Sequence, residues 1–110
     1  MLYKYGEFTE NQLQQTKQYM RKQIFYLLLI VDPDTRDEHP GVDVDEAFKS
    51  LLNRFGGLNE ILFCPPELVR IISMLEAALQ EYHKEDFEYR RYRKLILDAG
   101  AEVLRIEEVK

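Results

Sequence analysis

The chain has 110 residues, of which 45% are hydrophobic, 12% are aromatic and 32% are charged, and its net charge is −5 at pH 7. This composition excludes a disordered chain and predicts one globular domain that spans residues 1–110. The acidic balance disfavours general nucleic-acid binding, and the single cysteine, Cys64, excludes an internal disulfide and favours a reducing, cytoplasmic compartment.

A capping box predicts where the first helix begins. Thr9 can act as the N-cap and Gln12 stands three residues further on, with Phe8 and Leu13 at the positions of a hydrophobic staple. Apolar residues then recur at helical spacing until Asp32-Pro33, where the proline ring disfavours helical geometry at the residue before it. The pattern predicts one helix of ~22 residues, from residue 10 to residue 31.

Residues 24–31 form an apolar octet, Ile-Phe-Tyr-Leu-Leu-Leu-Ile-Val, at the end of this helix. Such a segment has no polar face, so we expect neighbouring elements to cover it from several sides. The octet is also much shorter than the roughly 18–20 apolar residues that cross a bilayer, and we expect no membrane partner. Its β-branched and aromatic residues leave a buried strand over 24–31 as the alternative.

Three further helices follow from caps and apolar stripes. Asp43, with Glu46 three residues on, begins the second helix, and Gly56-Gly57 is expected to end it. Pro65-Pro66 opens the third helix, and Asp86 is the expected N-cap of the fourth. These stripes are typical of amphipathic helices that share one core.

The fold class follows from these four segments and their short connections. Gly100 interrupts the last apolar pattern, and we interpret it as lying within a continued helix, with a strand over 101–109 as the alternative. The sequence therefore predicts an all-α, single-domain bundle of about four helices with the first helix central. The alternative fold is α+β, with 24–31 and 101–109 as strands.

The first functional hypothesis is a non-catalytic protein-interaction or regulatory protein that self-associates. Phe25, Tyr26 and Leu29 lie off the main apolar stripe of the first helix and are the candidate self-association residues. In a small bundle they could meet a second copy across a two-fold axis and form a homodimer. A protein partner or a second copy is therefore the expected binding partner.

The first alternative is a nucleic-acid accessory protein. Segment 89–94 interleaves tyrosines with four cations, and such a surface can bind phosphates while the rings stack on bases. The candidate polyanion contacts are Arg90, Arg91, Arg93 and Lys94. On a helix, however, the tyrosines share a side that the cations largely avoid, which favours core-facing rings and a solvated basic face.

The second alternative is a divalent-cation-responsive protein that uses the acidic loop 32–46, together with His39. As an EF-hand loop, this segment has the wrong residues at the fifth, sixth and twelfth positions, which are Arg36, Asp37 and Asp43. Neither a metal-ligand spacing nor a nucleophile with an adjacent histidine is present. We therefore predict no metal site, no cofactor and no catalytic residue, and we expect that the protein is not an enzyme.

Overall fold

The computed structural model describes residues 2–3, 6–7, 9–38 and 40–106 of the chain, and in these residues it confirms the all-α bundle of four helices. The helices are α1 (Glu10–Leu29), α2 (Val44–Ile61), α3 (Pro66–Tyr82) and α4 (Tyr89–Val103). Short strands β1 (Leu2–Tyr3) and β2 (Gly6–Glu7) pair antiparallel before α1, and a 3₁₀ turn covers Arg36–Glu38.

The strand alternatives are wrong wherever the structure describes them. Residues 24–29 belong to α1 and 30–31 to the turn that follows, while 101–103 belong to α4 and 104–106 follow it without a strand. Residues 107–109 lie outside the described residues. Helical periodicity continues without a turn signal into both segments, and burial of one helix face outweighs the β-propensity of their branched residues.

The capping box at the start of α1 is confirmed. The hydroxyl of Thr9 accepts a hydrogen bond from the Gln12 N–H at 3.1 Å, and the Gln12 side chain accepts one from the Thr9 N–H at 2.9 Å. The staple residue Phe8 lies outside the described residues. The helix ends at Leu29, two residues before the predicted end, because the chain tightens into a turn in which the Val31 N–H donates to Leu28.

The prediction that Gly56-Gly57 ends the second helix is wrong. Helix α2 continues through both glycines to Ile61, since Phe55 and Leu62 are buried on the stripe that the glycines interrupt. The two glycines together cost a helix roughly 2 kcal/mol, which is less than the roughly 3–6 kcal/mol that burial of both Phe55 and Leu62 contributes. The left-handed residues that end α2 are instead Phe63 (φ 63°) and Cys64 (φ 55°), and the Cys64 N–H donates to Asn59.

Helix α4 begins two residues later than predicted. Its N-cap is Glu88 rather than Asp86, and no side chain caps it. Asp86 is instead a partner of Arg91, which donates to its backbone oxygen at 2.7 Å and lies 3.5 Å from its carboxylate. Gly100 lies within the helix, as interpreted. A glycine fits this position because a Cβ atom there would be 2.6 Å from the ring of Phe25.

The helices are arranged so that α4 packs against both α3 and α1, while α2 packs mainly on α3 and meets α1 only lightly. The octet supplies Ile24, Leu27, Ile30 and Val31 to the shared core. Its remaining members are half-buried or exposed, so neighbouring elements cover it on its inner side only. None of the helices in the described ranges combines the length and apolar character that a bilayer span requires.

Tyr92 of α4 lies where all four helices meet. It is fully buried, and its hydroxyl donates a 2.6 Å hydrogen bond to the Leu27 carbonyl of α1. Its ring makes an edge contact with Phe48 of α2, with centroids 6.2 Å apart, and a tilted contact with Tyr82 of α3 at 6.4 Å. Burial raises the pKa of Tyr92, so the phenol keeps its proton and remains a donor.

Lys17 joins the first helix to the end of the last. Its side chain is buried, and the ammonium donates to the backbone oxygens of Leu104 at 3.2 Å and Ile106 at 2.9 Å. These carbonyls lie at the C-terminal end of α4, where the helix dipole is negative. The lysine therefore satisfies backbone acceptors and compensates the dipole at the same time.

Replacing Tyr92 by Phe is expected to lower the free energy of unfolding by roughly 1–3 kcal/mol, because the Leu27 carbonyl then stays buried without its donor. Urea denaturation followed by circular dichroism measures this. The matched control is Tyr89→Phe, which removes a longer 3.2 Å bond to Asp32 at a half-buried position and should cost less. Equal losses in the two variants would contradict the central role of the Tyr92 hydroxyl.

Replacing Gly56 or Gly57 by Ala is expected to raise the free energy of unfolding by about 0.5–1 kcal/mol each, since both positions are helical and a Cβ there meets no atom within 4 Å. Gly100→Ala is the contrast, because its Cβ would collide with the Phe25 ring, and we expect it to lose stability. Thermal melts compare the three variants. Destabilisation by Gly56→Ala would show that this part of α2 is not helical in solution.

Candidate functional site

The three candidate self-association residues lie near the C-terminal end of α1, where Phe25 faces α4 and Tyr26 lies beside α2. Tyr26 is 37% exposed and Leu29 is 44% exposed, while Phe25 is half-buried. Together with Lys22 and Gln23 they line a surface cavity of about 390 Å³. We call these five residues the α1 outer face. Two of its three apolar side chains are therefore large hydrophobic groups that are partly exposed to solvent.

Phe25 contributes mainly to packing within the chain. Its ring lies over Gly100, where α1 crosses α4, and the Arg21 guanidinium carbon is 5.2 Å from the ring centroid. This distance is typical of a cation–π contact. Phe25 thus holds the outer face in position against α4, and Tyr26 and Leu29 form its exposed part.

A second cavity lies between α1 and α2, where these helices meet lightly. Its volume is about 520 Å³, and Arg54 donates a 3.3 Å hydrogen bond to the Tyr19 hydroxyl at its edge. We call it the α1–α2 cavity. It is lined by Gln12, Gln15, Thr16, Tyr19, Arg54, Phe55, Leu58 and Ile61.

Sequence reasoning missed this cavity because its lining comes from two helices whose relative position no local pattern fixes. A signal was nevertheless present in α1. Tyr19 and Tyr26 stand seven residues apart, off the stripe that supplies the core, and both are exposed. Aromatic residues at heptad spacing outside the core stripe indicate a second contact surface on a helix.

The four cations of segment 89–94 differ in whether they pair with a carboxylate of a described residue. Arg91 lies 2.6 Å from the Glu81 carboxylate of α3, and Lys94 lies 2.8 Å from Asp98 one turn later. Arg90 and Arg93 are exposed and form no ion pair with a described residue. Two of the four candidate polyanion contacts are therefore engaged within α3 and α4, and the nucleic-acid alternative stays a prediction.

The acidic loop uses its carboxylates to organise the backbone. Asp32 accepts a hydrogen bond from the Asp34 N–H at 2.8 Å and another from the Tyr89 hydroxyl at 3.2 Å. Asp43 caps α2 through the Glu46 N–H at 3.2 Å, as predicted. Within the described ranges, no three His, Cys, Asp or Glu side chains come together as metal ligands. His39 lies outside those ranges, and the cation-responsive alternative stays a prediction.

The Glu81 carboxylate is a buried anion that pairs with Arg91 of the basic segment. Its side chain is 5% exposed, and hydrogen bonds from Lys84 and Arg91 lower its pKa. A group whose pKa is lower in the folded state stabilises the fold above its unfolded pKa and loses that contribution as the pH falls through the folded value. For Glu81 the unfolded value is near 4.5, so the loss begins below that pH.

The Glu81→Gln variant is therefore expected to unfold at a lower temperature than the wild type at pH 7 and to show a shallower decline in Tm below about pH 4.5. Thermal melts between pH 7 and pH 3 measure both effects. Glu76→Gln, an exposed glutamate of α3, is the matched control and should follow the wild type. A decline as steep in Glu81→Gln as in the wild type would contradict the lowered pKa.

Comparison with known proteins adds no relative to this geometry. No protein-family model matches the chain. A search of curated proteins gives no match, and a search of solved structures gives none either.

Proposed function

We propose that this protein is a non-catalytic helical-bundle interaction protein that self-associates as a homodimer through the α1 outer face. The observation that carries the proposal is the exposure of Tyr26 and Leu29 beside the half-buried Phe25. Isolated exposed apolar residues are common, but neighbouring large ones around a cavity are typical of contact surfaces.

An antiparallel pair of α1 helices suits this surface. If the two-fold axis passes near Tyr26, Leu29 of each copy lies beside Gln23 of the other, and the two Tyr26 rings meet at the centre. Such an interface is self-complementary, as a two-fold dimer requires. Tyrosine is among the residues enriched at the centres of protein interfaces.

The charges along α1 support a second copy as the partner. The last turn of α1 contains no basic residue, so its negative dipole end is not compensated from within the helix. In the antiparallel pair, Lys22 lies beside the last turn of the partner's helix, close to the acidic stretch that begins at Asp32. Attraction between these ends would add to the apolar contact.

A cytoplasmic location is part of the proposal. Cys64 is a free, exposed thiol. An oxidising compartment would open such a group to intermolecular cross-linking, whereas the cytoplasm keeps it reduced.

Replacing Leu29 by Lys is expected to weaken the dimer by at least about tenfold, because two cations then enter an apolar contact, each close to Lys22 of the other copy. Analytical ultracentrifugation over a range of protein concentrations measures the dissociation constant. The matched control is Val69→Lys, which places the same charge at a 45% exposed apolar position on α3 and should leave the dimer unchanged.

Two results would overturn the proposal. A wild-type protein that remains monomeric at high protein concentration would exclude self-association. An equal weakening by Leu29→Lys and Val69→Lys would show that the dimer does not use the α1 outer face. Thermal melts of both variants confirm that they are folded before the comparison is made.

A further inference from the structure

We propose that the α1–α2 cavity binds a small amphipathic carboxylate of the medium-chain fatty-acid class. In this site Arg54 and Tyr19 hold the carboxylate, while Phe55, Leu58 and Ile61 contact the alkyl chain. This cavity lies along the N-terminal half of α1 and shares no lining residue with the α1 outer face, although Arg54 and Tyr26 both line a smaller cavity of about 230 Å³ between α1 and α2.

The headgroup assignment follows from the hydrogen bonds that Arg54 and Tyr19 leave open. Arg54 uses one N–H on the Tyr19 hydroxyl and forms no ion pair with a carboxylate in the described part of the chain. Because Tyr19 is the acceptor of that bond, its own hydroxyl proton remains available to a ligand. A guanidinium and a phenol so placed can both donate to one carboxylate.

The charge of the lining selects an anion. Arg54 is charged, whereas the polar residues beside it, Gln12, Gln15 and Thr16, are neutral. Thr16 is already engaged, since its hydroxyl donates to the Gln12 backbone oxygen at 2.9 Å. The lining thus presents a positive group without a neighbouring carboxylate, on a protein whose net charge is −5. A cationic ligand would meet repulsion here and a neutral one would gain no ion pair.

The tail assignment follows from the α2 side of the cavity. Phe55 is buried there, and Leu58 and Ile61 are half-buried because α1 does not cover them fully. An alkyl chain laid between the two helices would remove the exposed surface of Leu58 and Ile61 from water, with the buried Phe55 beside them. The volume of about 520 Å³ lies within the range of small-molecule sites, roughly 300–1,000 Å³. The combination of an apolar wall with a cation at its edge defines an amphipathic monocarboxylate.

Laurate below its micelle concentration is the probe, and isothermal titration calorimetry is the measurement. We expect the wild type to bind laurate with a Kd on the order of 100 µM or lower. Arg54→Gln should weaken this binding by about tenfold or more, and Arg54→Lys by less, because lysine keeps the charge but not the planar fork. Arg93→Gln, which removes an exposed arginine of α4 from outside the cavity, is the matched control and should bind as the wild type does.

A second probe tests the sign of the charge. Dodecyltrimethylammonium has an alkyl chain of similar length and a cationic headgroup, and we expect it to bind at least about tenfold more weakly than laurate. Equal binding of the two amphiphiles would overturn the proposal, because it would indicate adsorption to apolar surface alone. The same conclusion follows if Arg54→Gln binds laurate as well as the wild type, or if laurate does not bind up to about 1 mM.

Tryptophan fluorescence can locate the bound laurate without a measurement of affinity. The chain contains no tryptophan, so Gln15→Trp introduces a single fluorophore at the edge of the cavity. Laurate should shift its emission to shorter wavelength, whereas Val69→Trp on α3 should report no shift. Leu29→Lys should bind laurate as the wild type does, which separates this site from the α1 outer face. A shift at Val69→Trp, or a loss in Leu29→Lys, would contradict the assignment.

Discussion

The fold depends on the burial of one phenol. Tyr92 reaches α1 through its hydroxyl and α2 and α3 through its ring, so the position of each helix is fixed relative to the same side chain. A buried hydroxyl needs a partner, and a helix end leaves carbonyls that need donors. Leu27 supplies such a carbonyl, since the Val31 N–H four residues later donates to Leu28 instead. One hydrogen bond therefore satisfies two requirements that neither helix could meet alone.

The same solution recurs at other helix ends. Lys17 donates to the carbonyls that follow α4, and the Thr35 hydroxyl donates to Leu29 at the end of α1. None of the four α-helices has a basic residue in its own last turn. At the ends of α1 and α4 the side-chain donors come from outside the helix, whereas the backbone N–H groups that directly follow α2 and α3 close those helices. Tertiary packing thus completes the secondary structure of α1 and α4. Helices α1 and α2 pack only lightly against each other, and the larger of the two candidate sites lies between them.

Local chemistry made much of the fold predictable. The capping box at Thr9 and the cap at Asp43 depend on residues within one turn, and the structure shows both. The expected stop at Gly56-Gly57 failed because distant core packing outweighed glycine propensity, and the expected cap at Asp86 failed because Arg91 engages that residue. The exposure of Tyr26 and Leu29 could be predicted because both residues lie off the main apolar stripe of α1. The hydrogen bond between Arg54 and Tyr19 could not, because it joins residues 35 apart in the sequence and no local pattern relates them.

The bond from Lys17 also constrains the order in which the molecule can form during synthesis. Its acceptors lie 87 and 89 residues further along the chain, so a ribosome must make nearly all of the described protein before they exist. Until then the lysine must remain hydrated, and the face of α1 that α4 will cover stays open to solvent or to a chaperone. Helix α1 is synthesised before α2, α3 and α4, yet its buried face is among the last to be covered, because contacts so remote in sequence form slowly.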